Sequence, residues 1–193
     1  MVEKKRKTKE TEIKVKIELY GKGKSEINTG IGFFDHMLEI FAKHSFVDLF
    51  VWASGDKKVD SHHIIEDVGI VIGKSIDKAL EERRGIRRFG FAAVPLDDAL
   101  TLISIDLGNR AYLKFDADLP KLKLGEFDVE MTKEFFQSLS NNAKMTLHIK
   151  LLQGENTHHC IESIFKSFAK AFEMAITKEK RIQGEVPSTK GLL

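Results

Sequence analysis

The spacing of apolar residues predicts a chain that mixes strands and helices. Residues 11–20 alternate polar and apolar side chains, which is the period of a half-buried strand. Apolar residues recur at helical spacing in 33–43 and again, over a longer stretch, in 61–82. Between these two helices, residues 46–53 are apolar and β-rich, which predicts a strand. Before the first helix, a short strand is expected at 24–28, pairing back on the strand at 11–20 after a turn.

The second half of the chain repeats this order of strands, helix, strand and long helix. A hairpin is expected around Asp97-Asp98, followed by a strand, a helix, a strand and a long helix at 111–117, 130–141, 145–152 and 157–177. We therefore predict an internally duplicated α+β subunit with a first repeat, 1–84, and a second repeat, 85–193. Each repeat should form a mostly antiparallel sheet with helices on one face, and the two should pack as one compact domain. The last residues, 185–193, are expected to form an irregular tail.

Composition narrows the classes of function. Hydrophobic residues make up 42% of the 193 residues, which is enough for a sizeable core, and the formal net charge is +2. A balance this even gives no basic field for nucleic acid or an anionic membrane surface, and no apolar run approaches the roughly 18 residues of a membrane span. The basic N-terminus has no apolar signal core, and Cys160 is the single cysteine, so we expect a cytoplasmic protein without disulfides.

Two look-alike segments carry most of the candidate chemistry. His62-His63 precedes Glu66, and His158-His159 precedes Glu162 at the same offset, so these segments hold four of the seven histidines. A helix turns by about 100° per residue, so the first histidine and the glutamate of each segment share a face while the second histidine points elsewhere. Ser61 and Thr157 are predicted helix N-caps, which would put the histidines in the first turn, at a pocket rim. His148 and Cys160 are expected to be structural.

Crossed sharing of these side chains would hold two metal ions. Each ion would take the chelating pair from one long helix and the lone histidine from the other, and the shorter helix of each half would add a fourth ligand. The predicted sets are His36, His63, His158 and Glu162 for one ion, and His62, Glu66, Glu134 and His159 for the other. Imidazole and carboxylate donors without thiolate suit Mn, Fe, Co, Ni or Zn. The sequence leaves open whether one chain or neighbouring copies supply the ligands. A single segment of this kind could also be an exposed stretch of helix that binds no metal.

Five motifs in order resemble the imidazoleglycerol-phosphate dehydratases: GIGFFDHML, DSHHIIEDVG, RRGIRRFGFAAVPLDDAL, GENTHHCIESIFKSFAKAF and PSTKGLL. The resemblance covers almost the whole chain. It implies a duplicated α+β subunit, two Mn²⁺ ions per active site, and a homo-oligomer of twenty-four subunits with sites where subunits meet. The family usually has a histidine where this chain has Glu134, a change that keeps a metal-binding donor but adds negative charge.

The resemblance also implies the reaction and the residues that serve it. Water would be lost from imidazoleglycerol phosphate to give imidazole acetol phosphate in histidine biosynthesis, through a metal-bound imidazolate and a diazafulvene-like intermediate. Glu10 is the leading proton-transfer candidate, with Glu66 and Glu162 as rivals already occupied by metal. The substrate would be lined by Glu10, His36, His44, His62, Arg88, Arg110, His158, Lys166, Ser188, Thr189 and Lys190, of which Ser188, Thr189 and Lys190 match the family's phosphate-binding tripeptide.

Two other classes of function stay open on the residues alone. A dinuclear hydrolase of phosphate esters or amides would use two ions and basic residues equally well. A metal-storage or assembly protein would need the ligands but not the substrate-binding cations. The sequence has no glycine-rich dinucleotide or Walker-type loop, so neither a redox cofactor nor ATP is expected.

Overall fold

The first half of the chain folds into a four-stranded sheet and two helices. In the computed structural model, which describes residues 1–55 and 61–193, the strands are paired in the order β1-β2-β4-β3. The elements are β1 (Val2–Lys7), β2 (Thr11–Glu18), β3 (Ser25–Asn28), α1 (Gly32–Ser45), β4 (Asp48–Gly55) and α2 (His62–Leu80). β3 pairs with β4 in parallel, while the other neighbours are antiparallel.

The second half has the same topology. Its strand order is β5-β6-β10-β7, and again the last pair in the row is parallel while the others are antiparallel. The elements are β5 (Phe89–Leu96), β6 (Ala99–Asp106), β7 (Tyr112–Asp116), a small ribbon of β8 (Lys123–Leu124) and β9 (Phe127–Asp128), α3 (Met131–Ala143), β10 (Thr146–Gln153) and α4 (Thr157–Ile176). The predicted duplicated α+β fold is therefore confirmed. The repeat boundary near residue 85, which falls between the end of α2 and the start of β5, stays a prediction.

The four helices lie between the two sheets. Strands β2 and β6 turn alternate residues inward, such as Ile13, Val15 and Ile103, and all three are buried. Helix α2 contacts the first sheet and packs on α3, while α4 contacts the second sheet and packs on α1. Each short helix is thus paired with the long helix of the other half. This exchange sets which predicted ligands meet.

Two features bring these helices together. Where α2 crosses α3, Gly69 lets the backbones approach closely, since a Cβ there would lie 2.9 Å from the carbonyl oxygen of Phe135. Between α1 and α4, the ring of Phe41 lies 5.2 Å from that of Phe168 and 5.7 Å from that of Phe172. Aromatic pairs at such distances contribute about 0.5–1.5 kcal/mol beyond the area they bury. The helix pairing is therefore fixed by packing and does not depend on a bound ligand.

Three sequence predictions were wrong or incomplete. The strand formed by residues 2–7 was not predicted; every second side chain of this strand is half-buried where it pairs with β2. The short strand, β3, does not pair back on β2, since β1 and β4 already occupy both edges of β2. The ribbon of β8 and β9 was not predicted. The polar stretch at 56–60 lies outside the described residues.

The helices, the hairpin around Asp97-Asp98 and the irregular tail agree with the sequence pattern, except that a 3-10 turn, Lys180–Ile182, precedes the tail. Within the part of the chain that the structure describes, no helix is long and apolar enough to span a membrane.

Candidate metal and phosphate site

The pairing of α1 with α4 brings three predicted ligands together. Nε2 of His158 lies 3.1 Å from Oε2 of Glu162, and Nε2 of His36 lies 3.6 Å from the same oxygen. One donor atom from each of the three residues lies within 4.8 Å of the other two. Across residues 1–55 and 61–193, this is the one group of three or more histidine, cysteine or acidic side chains that meets so closely. Three of the four ligands predicted for the first ion therefore converge within one chain.

The second oxygen of Glu162 is held by a lysine. Nζ of Lys166 lies 2.8 Å from Oε1, one helical turn further along α4. Burial alone raises the pKa of Glu162, but the hydrogen bond and charge of Lys166, together with His158 and His36, outweigh burial and lower that pKa. The carboxylate is therefore ionised near neutral pH, which is the form that binds metal.

Of the two predicted N-caps, Ser61 is confirmed in position and Thr157 is wrong. Asn156 caps α4, and its side chain accepts hydrogen bonds from the backbone N–H groups of His158 and His159 at 2.9 and 3.2 Å. Thr157 is instead the first helical residue, because Asn156 provides the shorter route to those N–H groups. Ser61 has helical backbone angles and makes no capping hydrogen bond. Its hydroxyl is buried without a hydrogen-bond partner.

The second predicted ligand set is only partly assembled. His62 and Glu66 share a face of α2, as the spacing predicts, with Nε2 and Oε2 3.8 Å apart. Glu134 lies half-buried in the first turn of α3, the helix that packs on α2. Among the described residues, these three side chains do not form a group as close as the group of His36, His158 and Glu162.

The lone histidines of both long helices lie beside carboxylates of hairpin tips. Nδ1 of His63 lies 3.6 Å from a carboxylate oxygen of Glu10, in the turn between β1 and β2. Nδ1 of His159 lies 2.5 Å from Oδ1 of Asp98, in the turn between β5 and β6. Neither histidine joins the ligand set predicted for it within the chain. Asp98 was missed by sequence reasoning, although its hairpin occupies the same place in the second half as the hairpin of Glu10 in the first.

The five cations and hydroxyls predicted to bind phosphate line one cavity. It has a volume of about 350 Å³, and its walls include Arg88, Arg110, Ser188, Thr189 and Lys190. The C-terminal tail and the end of β6 therefore meet at one place.

The two arginines of this cavity are held differently. Arg88 donates to both carboxylate oxygens of Asp106, from Nε at 2.6 Å and from a terminal nitrogen at 3.0 Å, and it also donates to the carbonyl oxygen of Pro187 at 2.9 Å. The Arg110 side chain is 70% exposed and lies 3.6 Å from Asp106. Arg88 thus ties the tail to the sheet, while Arg110 presents its guanidinium to the cavity.

Comparisons with known proteins identify the family of this chain. A family model described as imidazoleglycerol-phosphate dehydratase matches residues 29–172. The chain belongs to this family. The enzyme so named from Acetivibrio thermocellus is 53% identical over 188 residues, which is 97% of this chain and 96% of that protein. A relative from Clostridium kluyveri is 52% identical over the same shares of each chain.

Solved structures of family members have the same fold. The dehydratase of Pyrococcus furiosus, solved in complex with (S)-C348, has a TM-score of 0.84 at 39% identity, covering 98% of this chain and 100% of that one. The dehydratase of Staphylococcus aureus has a TM-score of 0.81 at 40% identity, covering 91% and 98%. Members of the imidazoleglycerol-phosphate dehydratase family are hydro-lyases, so the predicted family and enzyme class are confirmed.

In this dehydratase fold, the remaining predicted substrate residues, His44 and Lys166, lie further along α1 and α4. Lys166 lies one turn beyond Glu162, and His44 lies two turns beyond His36. Burial lowers the pKa of His44, and the charges of Lys166 and Lys170 lower it further. A larger cleft, of about 1030 Å³, is lined by none of the predicted site residues. We therefore take the first turns of the helices and the smaller cavity, rather than this cleft, as the candidate site.

Replacing the cap residue should loosen the start of α4. We expect Asn156→Ala to lower the free energy of unfolding by about 1 kcal/mol, because two backbone N–H groups lose their acceptor. Ser61→Ala is the matched control. It should stay within about 0.5 kcal/mol of the parent, since that hydroxyl makes no cap bond. Chemical denaturation followed by circular dichroism, at one fixed protein concentration, measures both. Equal losses in the two variants would contradict the capping assignment.

Proposed function

We propose that this chain is a manganese-dependent dehydratase that converts imidazoleglycerol phosphate to imidazole acetol phosphate in histidine biosynthesis. The observation that carries the proposal is the convergence of His36, His158 and Glu162 in a chain of this family. The cluster of cations at the C-terminal tail supports it, because the substrate bears a phosphate.

The donors at the helix starts fit a divalent transition metal. The assembled group offers two imidazole nitrogens and an ionised carboxylate, while Cys160 is buried at 3% exposure and donates nothing to it. Nitrogen and oxygen donors of this kind suit manganese better than a thiophilic metal. The proposed ligands of the two ions are the sets given by the sequence: His36, His63, His158 and Glu162, and His62, Glu66, Glu134 and His159.

Bound manganese would supply Lewis-acid chemistry, polarising the ring nitrogens and a hydroxyl of the substrate. Within the chain, Glu162 is already engaged by Lys166 and two histidines, and Glu66 pairs with His62. Glu10 is 60% exposed at its hairpin tip. We therefore assign removal of the carbon-bound proton to Glu10, since its carboxylate can approach a substrate without leaving a metal-binding pair.

The cavity at the C-terminal tail is the proposed phosphate site. Arg110 and Lys190 bring positive charge, and the hydroxyls of Ser188 and Thr189 can donate hydrogen bonds to phosphate oxygens. The guanidinium of Arg88 donates its hydrogen bonds to Asp106 and Pro187, so its main contribution is to hold the wall of the cavity in place.

The lone histidines favour sites shared between subunits. His63 and His159 lie beside Glu10 and Asp98 and away from the ligand sets proposed for them. Neighbouring copies of the chain would then supply them. We propose a homo-oligomer, of twenty-four subunits as in the family pattern, in which the substrate binds where subunits meet.

The outer face of the second sheet supports self-association. It exposes Phe91, Leu102 and Tyr112 at 64, 39 and 52%, and Phe89 at 57% beneath the guanidinium of Arg88. On the outer face of the first sheet, by contrast, Lys14 covers the ring of Trp52 and Lys16 lies over that of Phe50. Large apolar side chains gathered on one face mark an interaction surface.

Metal removal and replacement test the proposed activity. Protein stripped with a chelator should be inactive on imidazoleglycerol phosphate, and added Mn²⁺ should restore turnover as two equivalents bind per subunit. The product should retain its phosphate. Release of inorganic phosphate would indicate a hydrolase instead, and full activity without metal would contradict the proposed mechanism.

A cation of the cavity should affect substrate binding more than turnover. We expect Lys190→Ala to raise KM by about 10- to 100-fold, because a hydrogen bond to a charged group contributes about 1.5–3 kcal/mol. Lys121→Ala removes an equal charge from an exposed position outside the cavity and should leave KM unchanged. Steady-state kinetics with saturating Mn²⁺ measures both. An unchanged KM in Lys190→Ala would count against a phosphate site here.

A charge on the apolar sheet face should weaken assembly. We expect Phe91→Glu to shift the mass in light scattering from the oligomer towards smaller species, because the charge would lose its hydration in a subunit contact. Lys121→Glu, which introduces the same side chain at an exposed position, should leave the mass unchanged. A full-sized Phe91→Glu oligomer would exclude this face as an interface.

A further inference from the structure

The two halves hold their hairpin carboxylates in different ways. Asp98 and Glu10 occupy matching turns, and each faces Nδ1 of the lone histidine in its own half. Oδ2 of Asp98 also accepts hydrogen bonds from the backbone N–H groups of Glu155 and Asn156, at 2.6 and 2.9 Å. Glu10 has a longer side chain, is 60% exposed and lies at 3.6 Å from His63.

Asp98 is therefore fixed to the segment that carries its histidine. Glu155 and Asn156 form the loop that enters α4, and Asn156 in turn caps the backbone of His158 and His159. Hairpin, loop and helix start thus form one connected set of hydrogen bonds. Oδ2 of Asp98 accepts from two backbone N–H groups and Oδ1 faces Nδ1 of His159, so both carboxylate oxygens are used as acceptors.

An ionised carboxylate decides which ring nitrogen of its partner carries the proton. It can only accept hydrogen bonds, so Nδ1 of His159 must donate, and the lone pair of the neutral ring is left on Nε2. Nε2 lies on the other side of the ring, 3.7 Å from the exposed carboxylate of Asp97. Carboxylate partners of this kind fix both the tautomer and the orientation of metal-binding histidines.

The geometry points to Asp98 as a positioning residue that holds His159 with Nε2 presented to a metal ion. Glu10, in the matching turn of the other half, lacks the two backbone anchors seen at Asp98 among the described residues and remains available for proton transfer. The duplicated hairpin thus serves two roles: Asp98 is held by backbone hydrogen bonds, and Glu10 is exposed to a substrate. This inference rests on the proposed function, because it needs His159 to be a metal ligand.

The test is metal binding by isolated variants, with no turnover required. Asp98→Asn keeps the size of the side chain, and its amide oxygen can still accept from Glu155 and Asn156. Its NH₂ group, however, would donate to Nδ1 of His159 and move the ring proton to Nε2. Asp98→Ala removes both the loop anchor and the histidine contact. Glu82→Gln is the matched control, since it removes an equal charge from a side chain that is 72% exposed just beyond the far end of α2.

Calorimetric titration of the chelator-stripped full-length protein with Mn²⁺, together with thermal unfolding, separates the outcomes. We expect Asp98→Asn to bind Mn²⁺ about 10- to 100-fold more weakly at one of two sites, with its melting temperature near that of the parent. Glu82→Gln should bind as the parent does.

Three results would overturn the positioning role. Parental affinity in Asp98→Asn would remove the tautomer argument, and weakening only in Asp98→Ala would reduce Asp98 to a loop anchor. An equal loss in Glu82→Gln would indicate a general effect of charge. In each case the parent still binds two ions, so the dehydratase proposal stands. A parent that binds no Mn²⁺ would contradict both proposals together.

Discussion

Helix α1 of the first half lies against α4 of the second, and α3 of the second half lies against α2 of the first. This exchange of partners is the contact on which the candidate site depends. It places His36 opposite His158 and Glu162, residues more than one hundred positions away in the chain. The rings of Phe41, Phe168 and Phe172 hold the two helices in that relation from within the core. Side chains on packed helices are positioned more precisely than those on loops, which suits a metal site.

The duplication provides two similar frames, and the side chains on them have diverged. Both long helices begin with a pair of histidines and a glutamate, and both meet a hairpin tip that carries an acid. Within the described residues, only the long helix of the second half takes part in a close group of three donors, and His36 of the first half completes that group. When the two halves of the sequence are aligned, Glu134 corresponds to His36. The short helix beside α2 therefore carries a carboxylate where the short helix beside α4 carries an imidazole. The two proposed ions would therefore have different surroundings, with more negative charge around the one near α2.

Much of this arrangement follows from local sequence patterns. The apolar period gave the helices and most strands, and the offset of four between His62 and Glu66 placed both on one face of α2. Features that depend on distant contacts were harder to predict. The strand at 2–7 has few large apolar residues, and its pairing with β2 rather than its composition makes it a strand. Asn156 and Thr157 are both residue types that cap helices, and only the backbone path selects the first. Asp98 gains its role from a loop almost sixty residues further along the chain, at Glu155 and Asn156.

The central claim is that α1 and α4 of one subunit hold a metal ion between His36, His158 and Glu162. Diffraction from crystals grown with Mn²⁺, recorded at the manganese absorption edge, tests that claim most directly. The account predicts an anomalous peak about 2.0–2.3 Å from a ring nitrogen of each histidine and from a carboxylate oxygen of Glu162, at distances ordinary for first-row metals. Well-ordered crystals with manganese in solution and no peak between these three side chains would contradict it.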